Sequence, residues 1–283
     1  MSERPIVSVE WLRSRLSNNT DKSISVVDGS WHLPPEQRNA HAEYLQGHLP
    51  GAVFFDIDSV CTPGDLPHMM PSAAFFAESV GKLGLEKSNT VVVYDTKGLF
   101  SAARVWWMLT VFGYSDVKIL DGGLPAWSDA GFTLESGEAD VESVVVEVAA
   151  TDGSVADAAR VLEASESRSA QILDARSQER FDGIAPEPRA GLRGGHIPGS
   201  ICLPFTELLD NGRLKPQAQL REVFNAHGVA EDAPVFTTCG SGVTAAILTL
   251  GLHCLGQDDT SLYDGSWTEW GGRDDLPVAR SDT

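Results

Sequence analysis

Short runs of apolar and β-branched residues alternate along the chain with longer segments in which apolar residues recur at helical spacing. The short runs have the length and composition of buried strands. The predicted strands are Ser25–Val27, Val53–Phe55, Val91–Tyr94, Lys118–Leu120, Gln171–Leu173, Ser200–Leu203, Val235–Thr238 and Ser261–Tyr263. The predicted helices include Ala73–Leu83, Ser101–Val111, Gln217–Ala226 and Val243–Cys254.

Strands that alternate with helices through short connections are typical of an α/β fold with a mainly parallel, doubly wound sheet. In such sheets, ligands bind in the crevice outside the carboxyl ends of the strands. We therefore expect the chemistry of this chain in the residues that directly follow its strands.

The chain also repeats itself. The segment Gly47–Ala52 (Gly-His-Leu-Pro-Gly-Ala) recurs as Gly195–Ser200 (Gly-His-Ile-Pro-Gly-Ser). Three further pairs keep the same order and nearly the same spacing, namely Ser25–Asp28 with Gln171–Asp174, Val92–Asp95 with Phe236–Cys239, and Asp121–Gly123 with Asp264–Ser266. Four pairs of similar segments in the same order and at nearly constant spacing predict two copies of one domain.

An acidic stretch with few apolar residues, 136–153, separates the two copies. We expect a first domain at residues 1–139, a linker at 140–153 and a second domain at 154–283. Ser154 has the position of a helix N-cap at the start of the second copy, as Ser8 has in the first.

Composition and charge narrow the class of protein. Hydrophobic residues make up 42% of the 283 residues and charged residues 22%, as in folded globular proteins. The apolar runs are far shorter than the roughly 20 residues that span a bilayer, and the polar N-terminus lacks the apolar stretch of a signal peptide. We therefore expect a soluble protein of the cytoplasm. The net charge of −19 argues against binding to nucleic acid or to an anionic membrane surface.

The segment Val235–Ala246 carries the clearest candidate for chemistry. Its predicted strand ends at Cys239, and Gly240 and Gly242 permit a tight turn into a helix predicted from Val243. Converging backbone N–H groups and the positive end of a helix dipole would stabilise a thiolate at Cys239. The alternative is a buried, inert cysteine. We interpret the other three cysteines, Cys61, Cys202 and Cys254, as structural or incidental.

The loop Cys-Gly-Ser-Gly-Val-Thr-Ala from Cys239, the two Gly-His-x-Pro-Gly turns and the tandem repeat resemble the two-domain rhodanese-like sulfurtransferases. More narrowly, they resemble the 3-mercaptopyruvate sulfurtransferases, from about Val7 to Pro277. The resemblance implies two tandem rhodanese-like domains, each a mainly parallel sheet flanked by helices. The first copy carries Asp95 where the second has Cys239, so the resemblance implies a noncatalytic first domain. We interpret Asp95 as a helix-capping carboxylate.

Family members that use thiosulfate carry basic residues just after the cysteine. Here Gly240 and Ser241 are neutral, which favours 3-mercaptopyruvate as the sulfur donor. We expect the transferred sulfur to lie in a backbone cradle, and the residues assigned to it are Gly240, Gly242, Val243 and Thr244.

Two arginines are expected to bind a small anionic donor, since local positive charge must offset the overall negative charge of the chain. The resemblance assigns this role to Arg180 and Arg189, because two arginines nine residues apart hold the substrate in the mercaptopyruvate family. The planar guanidinium group suits a carboxylate. The alternative is that these arginines are solvated loop charges or form salt bridges, since Asp182 and Glu187 lie nearby. Arg193 is a weaker candidate.

The resemblance also pairs Asp58 and His68 of the first copy with Ser241 of the cysteine loop. Their role would be to handle protons, because the enolate of pyruvate must gain one when the sulfur leaves. Asp56 remains an alternative to Asp58, since the stretch between the aspartate and His68 is one residue shorter than in some relatives. From the residues alone, the favoured interpretation of His68 is a loop histidine lying against the other domain, and only the resemblance favours a role in chemistry.

We therefore predict an enzyme that moves sulfur from 3-mercaptopyruvate, through a persulfide on Cys239, to cyanide or to a thiol such as a reduced thioredoxin-like protein. No metal or organic cofactor is implied. The alternatives are a thiosulfate sulfurtransferase and a nonenzymatic persulfide carrier. A phosphatase of this fold would need a longer loop closed by an arginine, whereas Ala245 stands six positions after Cys239.

Overall fold

The computed structural model describes residues 5–17, 23–150 and 153–281, which form two compact units. Unit 1 contains the described residues before Pro63, those from Met70 to 150, and Asn211–Leu214. Unit 2 contains Pro63–Met69 and the described residues from 153 onward, apart from Asn211–Leu214. Each unit thus includes a short segment from the other repeat. The domain limits 1–139, 140–153 and 154–283 stay a prediction.

Unit 1 is built on one parallel sheet. Its strands are β1 (Ile6–Val7), β2 (Ile24–Asp28), β3 (Ala52–Phe54), β4 (Thr90–Tyr94) and β5 (Val117–Leu120). Its helices are α1 (Val9–Ser17), α2 (Ala40–Gln46), α3 (Ala73–Lys82), α4 (Ala102–Val111) and α5 (Gly123–Asp129). The strand order is β1-β5-β4-β2-β3, and every pairing is parallel. The central β4 is almost entirely buried, as its continuous apolar run predicts.

Unit 2 repeats this plan. Its strands are β6 (Val155–Ala156), β7 (Gln171–Asp174), β8 (Ile201–Cys202), β9 (Leu209–Asp210), β10 (Arg213–Leu214), β11 (Val235–Thr238) and β12 (Thr260–Tyr263), of which β10 lies in the segment that clusters with unit 1. Its helices are α6 (Ala158–Ser167), α7 (Gln178–Phe181), α8 (Gln217–Ala226), α9 (Ala245–Leu255) and α10 (Ser266–Trp270). The main sheet has the order β6-β12-β11-β7-β8 and is parallel throughout. Because this is the order of unit 1, the predicted repeat and fold class are confirmed.

The predicted start of the second copy is wrong in one detail. Val155 and Ala156 form the edge strand β6 instead of a first helical turn, and the N-cap of α6 is Asp157, whose carboxylate accepts the N–H of Arg160 at 2.9 Å. In the first copy, Ser8 accepts the N–H of Trp11 at 3.1 Å, as predicted. A two-residue strand is too short to produce a pattern, since only its pairing with β12 defines it.

The interior of unit 2 positions the cysteine loop. Helix α9 follows the central strand β11 and is buried on nearly all sides, as expected for a helix that is apolar all round. The loop between β11 and α9 is therefore held between two buried elements. Among the described residues, no helix is long and apolar enough to cross a membrane.

Candidate active site

Cys239 follows β11 directly, at the carboxyl end of the central strand of unit 2. The loop 239–244 then leads into α9, which begins at Ala245 and not at the predicted Val243. Cys239 is 2% exposed, and Val243 is equally buried. Gly242 has φ +77°, in the left-handed region that glycine adopts without strain, so the predicted tight turn is present.

The start of α10 holds the main chain of this loop. The N–H of Trp267 donates to the carbonyl of Cys239 at 2.9 Å. Thr268 donates to the carbonyl of Gly240 both from its N–H, at 2.9 Å, and from its hydroxyl, at 2.6 Å. Ser266 Oγ accepts the N–H of Cys239 at 3.3 Å. Three consecutive residues, 266–268, therefore bind the backbone of Cys239 and of Gly240.

The equivalent loop of unit 1 shows what this geometry can bind. Asp95 follows β4 as Cys239 follows β11, and it is 1% exposed. Its Oδ1 accepts the N–H of Lys97 at 2.8 Å, and its Oδ2 accepts those of Phe100 at 2.7 Å and Ala102 at 2.9 Å. Asp95 thus caps α4, as predicted. The loop after the central strand is an anion-binding loop, which unit 1 fills with its own carboxylate.

Arg180 lies against the cysteine loop. A Cβ atom placed on Gly240 would come within 3.1 Å of Nη2 of Arg180. The same nitrogen lies 2.5 Å from Oε2 of Glu187, so the salt bridge that the sequence left open is formed. The Arg180 side chain is 24% exposed and that of Glu187 only 2%. Arg180 is therefore partly exposed beside the loop while a buried carboxylate binds its guanidinium group.

Glu187 also binds Arg176, a residue that the sequence analysis missed. Nη1 of Arg176 lies 2.8 Å from Oε1 of Glu187, and its Nε and Nη2 donate to the carboxylate of Asp174. The guanidinium group stacks on Trp267, 4.2 Å from the ring centroid. Two guanidinium groups and two carboxylates therefore balance in charge beside the loop. Of these four groups, Arg176 lies over the ring of Trp267, the residue whose N–H binds the carbonyl of Cys239.

The other two arginines differ in their surroundings. Arg189 lines a surface hollow of about 380 Å³ beside Ile184 and Arg280. The guanidinium of Arg193 donates to backbone carbonyls, among them those of Trp270 at 2.9 Å and Leu276 at 3.0 Å. Arg193 therefore ties chain segments together, whereas the assignment of Arg189 to the substrate stays a prediction.

His68 reaches the cysteine loop, because the segment Pro63–Met69 belongs to unit 2. Its ring is 3% exposed, and Nδ1 lies 3.3 Å from the carbonyl oxygen of Ser241. A carbonyl only accepts, so Nδ1 carries the proton in this contact. His68 has φ +60°, a conformation that is uncommon outside glycine.

Asp56 and Asp58 have different tasks in unit 1. The carboxylate of Asp56 accepts the N–H of Asp58 at 3.0 Å and the hydroxyl of Ser59 at 2.5 Å, which closes a local turn. Asp58 Oδ2 accepts the indole N–H of Trp31 at 3.0 Å. Asp56 is therefore engaged in its own turn, and the pairing of Asp58 with His68 stays a prediction.

The remaining cysteines have structural surroundings. Burial, and after it the charge of Asp174, raise the pKa of the Cys202 thiol to about 12. Cys254 is buried in α9, and Cys61 Sγ donates to the carbonyl of Asp58 at 3.1 Å. Within residues 5–17, 23–150 and 153–281, no group of three His, Cys, Asp or Glu side chains could hold a metal ion.

Comparison with known proteins shows the family of this chain. The rhodanese-like domain model matches residues 8–130 and again residues 157–273, and the chain belongs to this family. The chain is 43% identical over 280 residues to 3-mercaptopyruvate sulfurtransferase of Escherichia coli strain K12, covering 98% of this chain and 99% of that protein. It is 42% identical over 300 residues to mitochondrial thiosulfate/3-mercaptopyruvate sulfurtransferase 1 of Arabidopsis thaliana, covering 98% and 78%.

A solved structure gives the same result. The crystal structure of SseA from Escherichia coli matches this chain with a TM-score of 0.86. That structure was solved in work on the rhodanese fold and catalytic mechanism of 3-mercaptopyruvate sulfotransferases. The two are 40% identical, and the match covers 94% of this chain and 99% of SseA. The predicted membership of the rhodanese-like family is confirmed.

Proposed function

We propose that this chain is a 3-mercaptopyruvate sulfurtransferase with Cys239 as its nucleophile. The observation that carries the proposal is the loop between β11 and α9, which places a cysteine where the equivalent loop of unit 1 binds a carboxylate through three N–H groups. A loop of this kind stabilises first the thiolate and then the outer sulfur of a persulfide. The high identity to 3-mercaptopyruvate sulfurtransferases over nearly the whole chain supports this function.

The reaction has two steps. The Cys239 thiolate attacks the sulfur of 3-mercaptopyruvate, an S–S bond forms and the C–S bond breaks. The electron pair of the C–S bond leaves on carbon as the enolate of pyruvate, which gains a proton to become pyruvate. A thiolate or cyanide then attacks the outer sulfur, takes it away and releases the Cys239 thiolate. A reduced thioredoxin-like protein is the acceptor that we expect in a cell.

Arg180 and Arg189 are the proposed partners of the donor's carboxylate and keto oxygen. The contact between Arg180 and Gly240 supports this role, since it places a guanidinium group beside the loop that holds the sulfur. The proposed cradle for the outer sulfur consists of the backbone N–H groups of the loop, and its residues are Gly240, Gly242, Val243 and Thr244.

His68 and Ser241 are the proposed source of the proton for the enolate, with Asp58 as their partner. The contact of His68 Nδ1 with the Ser241 carbonyl supports this role, because it holds the imidazole ring against the cysteine loop. A proton donor of this kind acts only within hydrogen-bond distance of the atom that it protonates. Because that atom belongs to the enolate of pyruvate, His68 and Ser241 should affect the first step and the release of pyruvate.

Intact-mass spectrometry after addition of 3-mercaptopyruvate tests the proposal. The wild-type protein should gain one sulfur on Cys239 and release one equivalent of pyruvate. Cys239→Ser should do neither, whereas the matched control Cys202→Ser should behave like the wild type, because burial keeps that thiol protonated. Sulfur transfer by Cys239→Ser contradicts the assignment, and a persulfide without pyruvate release indicates a carrier instead of this enzyme.

Thiosulfate is the second candidate donor. The Arabidopsis relative is named for both donors, which favours testing them side by side. We expect 3-mercaptopyruvate to be preferred, because Gly240 and Ser241 add no positive charge for a dianion. A higher kcat/KM for thiosulfate than for 3-mercaptopyruvate would contradict this preference. The cytoplasmic location stays a prediction, since the same relative is named as mitochondrial.

A further inference from the structure

Ser266, at the start of α10, has a backbone conformation that serine rarely adopts. Its φ is +49°, and the residue is completely buried. Left-handed backbone costs energy for any residue with a Cβ atom, and such strain persists only where the surroundings enforce it. In unit 1 the equivalent residue is Gly123, with φ +54°, for which this conformation carries no steric penalty.

The Ser266 hydroxyl has two partners in unit 2. It accepts the N–H of Cys239 at 3.3 Å and donates to the carbonyl of Tyr263 at 2.8 Å. It therefore joins the end of β12 to the first residue after β11. A glycine at this position would leave a buried N–H of the candidate nucleophile without this acceptor, which is unfavourable in the interior of a protein.

The two repeats differ in the backbone conformation of this turn and in whether it has room for a side chain. In unit 1, a Cβ atom on Gly123 would lie 2.3 Å from the carbonyl oxygen of Asp95, so the turn admits no side chain. The preceding residue, Gly122, has φ +79° there, whereas Gly265 in unit 2 has φ −64°. The turn of unit 2 is thus shaped to accept a side chain, in the repeat that carries the cysteine.

We propose that Ser266 is a positioning residue, whose strained backbone is kept because its hydroxyl fixes the main chain of Cys239 and so the direction of its sulfur. This rests on the proposed role of Cys239. The hydroxyl acts through the Cys239 N–H and does not need to touch the donor. A positioning role predicts that replacing Ser266 with glycine lowers activity without lowering stability, which a merely structural serine would not show.

Ser266→Gly tests the proposal, because glycine relieves the strain and removes only the hydroxymethyl group. We expect the relief of backbone strain to offset the two lost hydrogen bonds, so its melting temperature should equal or exceed that of the wild type, by up to about 4 °C. We expect kcat with 3-mercaptopyruvate to fall about tenfold with KM changed less than about twofold, since misplaced reacting groups slow the chemical step. Single-turnover pyruvate release should slow by the same factor.

Two further variants separate the possible causes. Ser266→Ala keeps the Cβ atom and the strain, so it should lose the same activity and also melt lower. Ser30→Ala is the matched control, because Ser30 is 2% exposed and its Oγ accepts the N–H of Thr96 at 3.0 Å, next to Asp95 in the loop of unit 1. It should melt lower with unchanged kcat.

The outcomes distinguish this proposal from the proposed function. Wild-type kcat in Ser266→Gly overturns the positioning role, and so does a loss of stability equal to that of Ser266→Ala. Cys239→Ser, assayed in parallel, reports on the nucleophile itself. If that variant still transfers sulfur, the proposed function fails whatever the Ser266 variants show.

Discussion

Nη2 of Arg180 lies 2.5 Å from Oε2 of Glu187, and this carboxylate also holds Arg176. Glu187 therefore orients the guanidinium group that lies against the cysteine loop and cancels part of its charge. Together with Arg176 and Asp174, these two residues form a cluster that is neutral in total, and a substrate carboxylate bound at Arg180 as proposed would meet this cluster. A neutral cluster gives a dianion little advantage over a monoanion in binding free energy. The advantage grows when one negative charge is removed from the cluster.

The first prediction concerns donor preference. Glu187→Gln leaves the cluster with one positive charge in excess, which favours a dianion more than a monoanion. The ratio of kcat/KM for thiosulfate to that for 3-mercaptopyruvate should rise about three- to tenfold. Glu78→Gln is the control, since it makes the same change in net charge at a surface pair with Lys82 and should leave the ratio unchanged. An equal ratio in Glu187→Gln and the wild type contradicts the argument.

The second prediction concerns the binding of the donor. Arg180→Lys keeps a positive charge but loses the planar fork that pairs with a carboxylate. KM for 3-mercaptopyruvate should rise about tenfold, with a smaller change in kcat. Arg193→Lys is the comparison, because Arg193 donates to backbone carbonyls. It should lower the melting temperature and leave KM unchanged, and a KM unchanged in Arg180→Lys would exclude the clamp.

The sequence predicted the features that depend on local pattern. The central strands, the long helices, the repeat and the loop at Cys239 all follow from runs of apolar residues, glycines and motif spacing, and the structure has them. The two-residue strands β1 and β6 were not predicted, because only their pairing with β5 and β12 defines them.

Features that depend on tertiary contacts could not be predicted in this way. The binding of Glu187 to both Arg176 and Arg180 requires the folded chain, and no sequence spacing encodes it. Ser266 did leave a signal, since the repeat alignment sets it against Gly123. The resemblance drew attention to His68, but only the fold shows that its segment joins unit 2.

The third prediction concerns cysteine reactivity. Burial raises the pKa of Cys202 to about 12, so its thiolate is scarce at neutral pH. Because the thiolate is the reactive form, alkylation of Cys202 by iodoacetamide should be very slow at pH 8 and rise about tenfold per pH unit up to roughly pH 12. Peptide mapping of Cys239→Ser over a range of pH in which the protein stays folded measures this. Rapid labelling of Cys202 at pH 7 would contradict it.

The fourth prediction compares equivalent aspartates in the two repeats. Asp28 ends β2 and Asp174 ends β7, but Asp174 is paired with Arg176 whereas Asp28 has Ser30 at the equivalent place. Burial raises the pKa of Asp28, and the charge of Asp95 adds to the effect. The stability from Asp28 is therefore complete below its unfolded-state pKa and is lost as pH rises through its folded-state pKa.

Asp28→Asn does not titrate, so it should gain stability relative to the wild type as pH rises from about 4 to 8. We expect it to melt about 2–4 °C higher at pH 8, the effect of about 1 kcal/mol in a protein of this size. Asp174→Asn is the matched comparison and should lose about 3–5 kcal/mol, because it leaves Arg176 buried with one partner fewer. Melting curves across this pH range measure both, and a destabilised Asp28→Asn at pH 8 would contradict the assignment.

The fifth prediction tests the loop as an anion site, apart from sulfur chemistry. Asp95→Ala removes the carboxylate that accepts three backbone N–H groups in unit 1. Leaving these buried donors unpaired should lower the free energy of unfolding by about 3 kcal/mol. Formate has the size of the missing carboxylate, so it should bind in the variant and restore stability by mass action, by about 2.7 kcal/mol at 100 times its Kd.

Asp95→Asn is the control for this experiment, because it fills the same space with a neutral group and should respond weakly to formate. The melting temperature of each variant is measured against formate concentration at constant ionic strength, with chloride as the comparison anion. A response of Asp95→Ala no larger than that of the wild type would show that the N–H groups do not form an anion site. Since the Cys239 loop likewise joins the central strand of its sheet to the following helix, that result would also count against a stabilised thiolate there.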